Sequence, residues 1–182
     1  MNFNQIIKNR IYSTLNKLRF ELLDEYDSVG FGNSIRFKSD CLIISIIFDK
    51  RERLFYISIE ENNHSYPLTD SVINKLFDLN SYIDKQSDIN IFADNLYSLL
   101  QNPKVQKMIC GDIEKLKEIS YENSHEYTNK MLLEQQVKIA SKAWDDRDYR
   151  MFIEVIDKLK MIDLPKSYQL KYEIAKKKIE NA

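Results

Sequence analysis

Cys110, Gly111 and Asp112 set a thiol beside a glycine and a candidate helix start, a setting that favours a thiolate. His125 is a conceivable base for it. Against that chemistry, Cys110 follows Ile109 in an apolar-faced helix, where cysteine acts as a small buried hydrophobe. The two histidines, His64 and His125, lie far apart, and no Cys or His pair has ligand spacing, so no metal site is expected. Asp145, Asp146 and Asp148 resemble the start of a calcium loop, but its glycine and distal Glu are missing, which leaves a solvated turn and helix cap. Glu60 and Glu61 are neighbouring carboxylates, yet strand neighbours point to opposite faces and cannot share a substrate; they are expected to end a strand in solvent. No Gly-x-Ser-x-Gly elbow, phosphate-binding loop or Gly-x-Gly-x-x-Gly occurs. The expectation is no enzyme, no cofactor and no metal.

What is left is surface chemistry. Lys158, Lys160, Lys166, Lys171 and Lys176 to Lys178 offer a phosphate-binding face, but Glu154, Asp157, Asp163, Glu173 and Glu180 are interspersed, as on a solvated helix. Eleven tyrosines are many for a chain of 182 residues. Tyrosine is enriched at protein interfaces, although most of these have helix seams to fill. The charged stretch Asp49 to Arg53, with Arg36 and Lys38 on an adjacent strand, is the expected exposed rim. Its candidate partner-binding residues are Arg36, Lys38, Lys50, Arg51, Arg53 and Tyr56.

The elements that must carry these residues follow from apolar spacing. Ile7, Ile11, Leu15, Leu18 and Leu22 recur at helical spacing and predict a first helix with one buried face. Val29, Phe31, Ile35 and Phe37 then alternate with polar residues and Gly, as in a half-buried strand. After the turn Ser39-Asp40, Cys41 to Phe48 reads as a strand apolar on both faces, which buries Cys41. Leu54 to Glu60 alternates once more, and the short connections allow only antiparallel pairing. Beyond Pro67 the chain reads as helix. Caps are expected at Thr69 or Asp70, at Asp88 and at Asn102-Pro103, with a break at Gly111. One long helix is expected from Asp112 to Trp144, its apolar face shifting along its length and its middle fraying near Asn123-Ser124. Asp145 to Asp148 and Asp163-Leu164-Pro165 start two further helices. The fold class is therefore α+β: an N-terminal helix on a three-stranded antiparallel meander, then a helical C-terminal region with a long helix and helical hairpin. Residues 1–111 form the α+β domain and 112–182 the long helix and hairpin, either as a second domain or as one continuous domain.

Composition sets the frame. A hydrophobic fraction of 43% supports a core, and 27 basic against 28 acidic residues remove the usual electrostatic case for nucleic acid or membrane surfaces. Three glycines and three prolines argue against turn-rich sandwiches. The first residues lack the basic start and apolar stretch of a secretory signal, and two cysteines make no disulfide framework, so a reduced, cytoplasmic protein without membrane segment is expected.

Three stretches carry a resemblance: Gly32 to Phe37, Phe48 to Arg51, and Ala143-Trp144 through Asp148-Tyr149. Together they are similar to a family of small bacterial α+β proteins with a meander and a helical tail, which implies a fold and brings no catalytic residues. The opening also resembles toxin immunity proteins and secretion chaperones. Ala140, Ala143, Trp144, Tyr149 and Pro165 resemble a single tetratricopeptide-type hairpin, with no second copy. The functional expectation is a protein-binding module, immunity-type or chaperone-like, whose partner is another protein. The alternatives are a nucleic-acid-associated regulator using the C-terminal lysines and, last, a Cys-His enzyme.

Overall fold

The structure is a computed structural model that describes residues 2–28, 30–81, 83, 88–159 and 164–180. Val29, Lys160, Asp163 and one of the eleven tyrosines, Tyr82, lie outside the described residues. Packing divides the chain into two units, Met1–Tyr121 and Glu122–Ala182.

The first unit is α+β. Helix α1 (Phe3–Lys17) is followed by strands β1 (Glu21–Ser28), β2 (Gly32–Lys38), β3 (Ile43–Asp49), β4 (Leu54–Glu61) and β5 (His64–Pro67). They form one antiparallel sheet in sequence order, so the meander has five strands where three are expected. Both extra strands have local causes. At the end of α1, Phe20 N bonds Leu15 O at 2.9 Å and Arg19 N bonds Asn16 O at 3.0 Å, with Arg19 left-handed at φ 64. This is the double bond of a Schellman end, normally signalled by glycine. With arginine there, nothing in the sequence marks the stop, and Leu22, in phase with the helix, belongs to β1 instead. At the other edge, Asn62 and Asn63 have φ 50 and 66, the two left-handed residues of a type I′ hairpin turn. That turn folds β5 back on β4, opposing Glu61 to His64.

Inward residues of the sheet alternate: Ile35 and Phe37, Ile44 and Ile46, then Phe55, Ile57 and Ile59. They share one core with Phe3, Ile7, Ile11 and Leu15 of α1 and with α2 (Asp70–Phe77), α3 (Ile89–Leu100) and α4 (Pro103–Ile109). Phe55 is the hub, its ring stacked on Phe92 at 4.2 Å and on Phe48 at 4.7 Å. Thr69 caps α2, Asp88 caps α3 and Asn102 caps α4 with Pro103 in its first turn, as the residue types require. Gly111, where the sequence reading divides the chain, has φ 123 and ends α4.

Helix α5 runs Glu114–Asp145 without interruption at Asn123-Ser124. Ile113, Leu116 and Ile119 are buried in the first core, whereas Ala140 and Ala143 are buried in the second. The second unit packs those alanines with α6 (Tyr149–Lys158) and α7 (Lys166–Glu180) around Phe152, Val155, Ile156, Tyr172 and Ala175. Asp148 caps α6 by accepting from Met151 N at 3.0 Å. Arg147, at φ 58, ends α5 in the same double-bonded way as Arg19 ends α1. Among the described residues no helix is long and apolar enough to cross a membrane.

Candidate interaction surface

With one face of the sheet under the helices, the alternate residues of β1 to β4 point outward. Register aligns them in rows. Tyr26 stands opposite Ser34, Ser34 opposite Ile47, and Ile47 opposite Tyr56. In that row Tyr26, Ile47 and Tyr56 are 62%, 40% and 44% exposed, so a row crossing four strands carries three large side chains in solvent, with Ser34 between the first and the second. The next row runs Asp24, Arg36, Ser45 and Ser58.

The charges on this face are largely paired. Arg36 grips the Asp24 carboxylate with two donors, Nε at 2.9 Å from Oδ1 and Nη2 on Oδ2. The guanidinium holds Asp24 below the usual carboxylate range, and Asp24, with help from Glu60, raises Arg36. At the hairpin end of the sheet, off this face, Lys50 donates to Asp27 Oδ1 and to Ser28 O, both at 2.9 Å, and its hydrogen bond likewise lowers Asp27. Tyr56 donates to Glu52 at 2.7 Å, and that carboxylate raises the phenol. Ser45, buried, donates to Glu60. Glu61 points the other way to Lys117 at 2.7 Å, so the two glutamates do face apart, but each has a partner where bare solvent is expected.

The structure separates the six candidate residues. Lys50, Arg51, Arg53 and Tyr56 gather at one end of the sheet, Arg36 lies mid-sheet, and Lys38 ends β2. Six residues from Gly32, at ~3.4 Å each, put Lys38 about 20 Å from that end. There it lines an open cleft of about 560 Å³ with Arg19, Glu21, Leu22, Leu23 and Asp40. Phe31 is the main surprise. Expected on the buried side of a strand, it lies in the β1–β2 turn, 62% exposed, with the Arg51 guanidinium 4.2 Å from its ring centre. Sequence reasoning also misses Tyr26, Asp24 and Asp27 as site residues, because all three sit on the unexpected β1.

The other candidates lie away from this face. Cys41 precedes β3 and Cys110 caps α4, and both are exposed rather than buried. Cys110 belongs to the first unit and His125 to the second. Among the described residues no group of three His, Cys, Asp or Glu is placed to hold a metal ion. A void of about 10 Å³ in the first core is lined by side chains such as Ile11, Ile44 and Leu96, apolar throughout. On α7, Lys171 lies over the Trp144 and Tyr168 rings at 5.1 and 5.5 Å, and Lys176 over Tyr172 at 4.4 Å, so these lysines partly serve the packing of their own unit. Comparison of the chain with protein-family profiles, with curated proteins and with solved structures gives no match.

Proposed function

We propose that this protein works in the cytoplasm by binding another protein, as an immunity-type inhibitor or chaperone-like module, with no catalytic step and no cofactor. One observation carries the reading: Tyr26, Ile47 and Tyr56 are aligned by register on an open sheet face and 40% or more exposed. A folded chain gains nothing from large apolar groups held in water, whereas aromatic anchors ringed by polar groups are the usual core of an interface. Their rigidity helps, since a sheet row is already ordered before a partner arrives. Nucleic acid fits this face less well, because Asp24, Glu52 and Glu60 are interleaved with the basic residues. The outward face of four strands at ~4.8 Å spacing and seven residues at ~3.4 Å spans about 450 Å². A standard interface takes about 800 Å² from each partner, so the contact must extend onto the hairpin tips.

The test is a photo-crosslinking amino acid placed at Tyr26, at Tyr56, and at Tyr97, a half-exposed tyrosine of α3. In the native cell the first two positions should capture the same protein and the third should not. Equal capture from Tyr97, recovery of nucleic acid alone, or no protein adduct from either strand position would end the proposal.

A further inference from the structure

We infer that the end of the sheet bearing the β3–β4 hairpin docks an acidic protein surface, with Phe31 as the apolar anchor and Arg51 and Arg53 as carboxylate ligands. This rests on the protein-binding reading above and names the partner's chemistry.

Two hairpin tips stand side by side at this end. Lys50 N bonds Phe31 O at 3.2 Å, and the Arg51 guanidinium covers one side of the Phe31 ring. The ring still remains 62% exposed, so it adds little to the core and leaves apolar area free for a pocket.

The charges at the tip do not cancel, because the acids are already in use. Asp49 Oδ1 accepts from the backbone N–H of Arg51 at 2.7 Å and of Glu52 at 3.1 Å, building the turn. Glu52 accepts from Tyr56, and Asp27 takes Lys50. No carboxylate of the described residues pairs with Arg51 or Arg53. A guanidinium stacked on a ring keeps its in-plane N–H donors free, and that fork matches a carboxylate edge-on. The tip thus presents two unspent guanidiniums beside an aromatic anchor, which is the complement of carboxylates set around an apolar pocket.

The same facts select among occupants. A second copy meeting tip to tip would bring like charges together, at a cost. A nucleic-acid strand carries a phosphate every ~3.4 Å and needs a continuous basic track, whereas the face behind this tip sets Asp24 and Glu60 among its bases. A compact acidic surface needs only the tip.

The experiment pans the whole chain against a phage library of random peptides and measures the selected peptides, fluorescein-labelled, by anisotropy. Peptides with Asp or Glu flanking an aromatic or large aliphatic residue are expected. Their affinity should fall about tenfold or more for R51A/R53A and for F31A, with unchanged circular dichroism, since all three side chains are exposed. Arg51→Lys should lie between wild type and Arg51→Ala, because it keeps the charge and loses the fork. No enrichment, selection of neutral or basic peptides, affinity indifferent to the tip variants, or tighter binding of a single-stranded oligonucleotide of similar length would each overturn the inference. Binding lost with Tyr26→Ala but untouched by the tip variants would overturn it while leaving the protein-binding reading intact.

Discussion

Phe55→Ala is the sharpest test of how the first unit holds together. The Phe55 ring is 1% exposed and stacks on Phe92 of α3 at 4.2 Å and on Phe48 of β3 at 4.7 Å, with Phe3 of α1 at 6.1 Å. Truncation removes a side chain that meets rings from α1, α3 and the neighbouring strand. Full loss of a buried Phe costs about 3–5 kcal/mol through transfer and cavity terms. The upper half of that range is expected here, because three ring contacts go with it and aromatic pairs add ~0.5–1.5 kcal/mol beyond area. Phe55→Leu keeps most of the apolar volume and should cost about 1–2 kcal/mol. Tyr56→Ala, the next residue but facing outward, should change stability by about 0.5 kcal/mol or less. Urea unfolding read by far-ultraviolet circular dichroism gives these values. Trp144, the only tryptophan, is partly buried against the core of the second unit, so its fluorescence reports that unit separately. Its transition should stay in place in Phe55→Ala, because the two cores share no buried residue. A cost for Phe55→Ala below about 1 kcal/mol would refute the hub. A Trp144 transition that moves with it would refute separate cores.

Gly32→Ala would drive a methyl group into the Phe48 carbonyl oxygen across the β2–β3 ladder, with only backbone to yield. A loss of about 1–3 kcal/mol in urea unfolding is expected. Asp24 and Asp27 have folded pKa values lowered by Arg36 and Lys50. Their contribution is complete above the unfolded carboxylate pKa of about 3.9 and disappears as pH falls through the lower folded values, so Asp24→Asn should flatten the acid side of a stability–pH curve. An unchanged acid limb would contradict the pairing. Asp148→Ala removes the α6 cap and should cost about 1 kcal/mol, seen in the Trp144 fluorescence transition.

Much of the architecture is legible from alternation and caps, and what is not has one recurring cause. Thr69, Asp88, Asn102 and Asp148 announce helix starts because their side chains satisfy the first free N–H groups. Helix ends announce themselves only when glycine takes the left-handed position, as Gly111 does. Arg19 adopts that conformation without the signature, so by spacing alone α1 runs on and β1 disappears into it. β1 is further hidden because all but its last residue are exposed, and a register shift between Leu22 and Asp24 breaks its alternation. The candidate site inherits that gap. Lys50, Arg51, Arg53 and Tyr56 are visible as a charged hairpin, but the acids that neutralise Arg36 and Lys50 lie on β1. Phe31 misleads for a related reason: it is in phase with Ile35 and Phe37, but the strand starts at Gly32, and phase carries no meaning in a turn.

The central claim is that the open sheet face binds a protein. The most direct measurement is the affinity of the purified protein for the partner captured at Tyr26, compared with that of Tyr26→Ala/Tyr56→Ala, over a salt series. The double variant should melt as the wild type does and bind about a hundredfold more weakly, as expected when two interface anchors are removed. The wild-type affinity should fall with salt only as far as two exposed guanidinium contacts are screened, because its other anchors are aromatic. Unchanged affinity in the double variant, or the steep salt dependence of phosphate binding, would contradict the account.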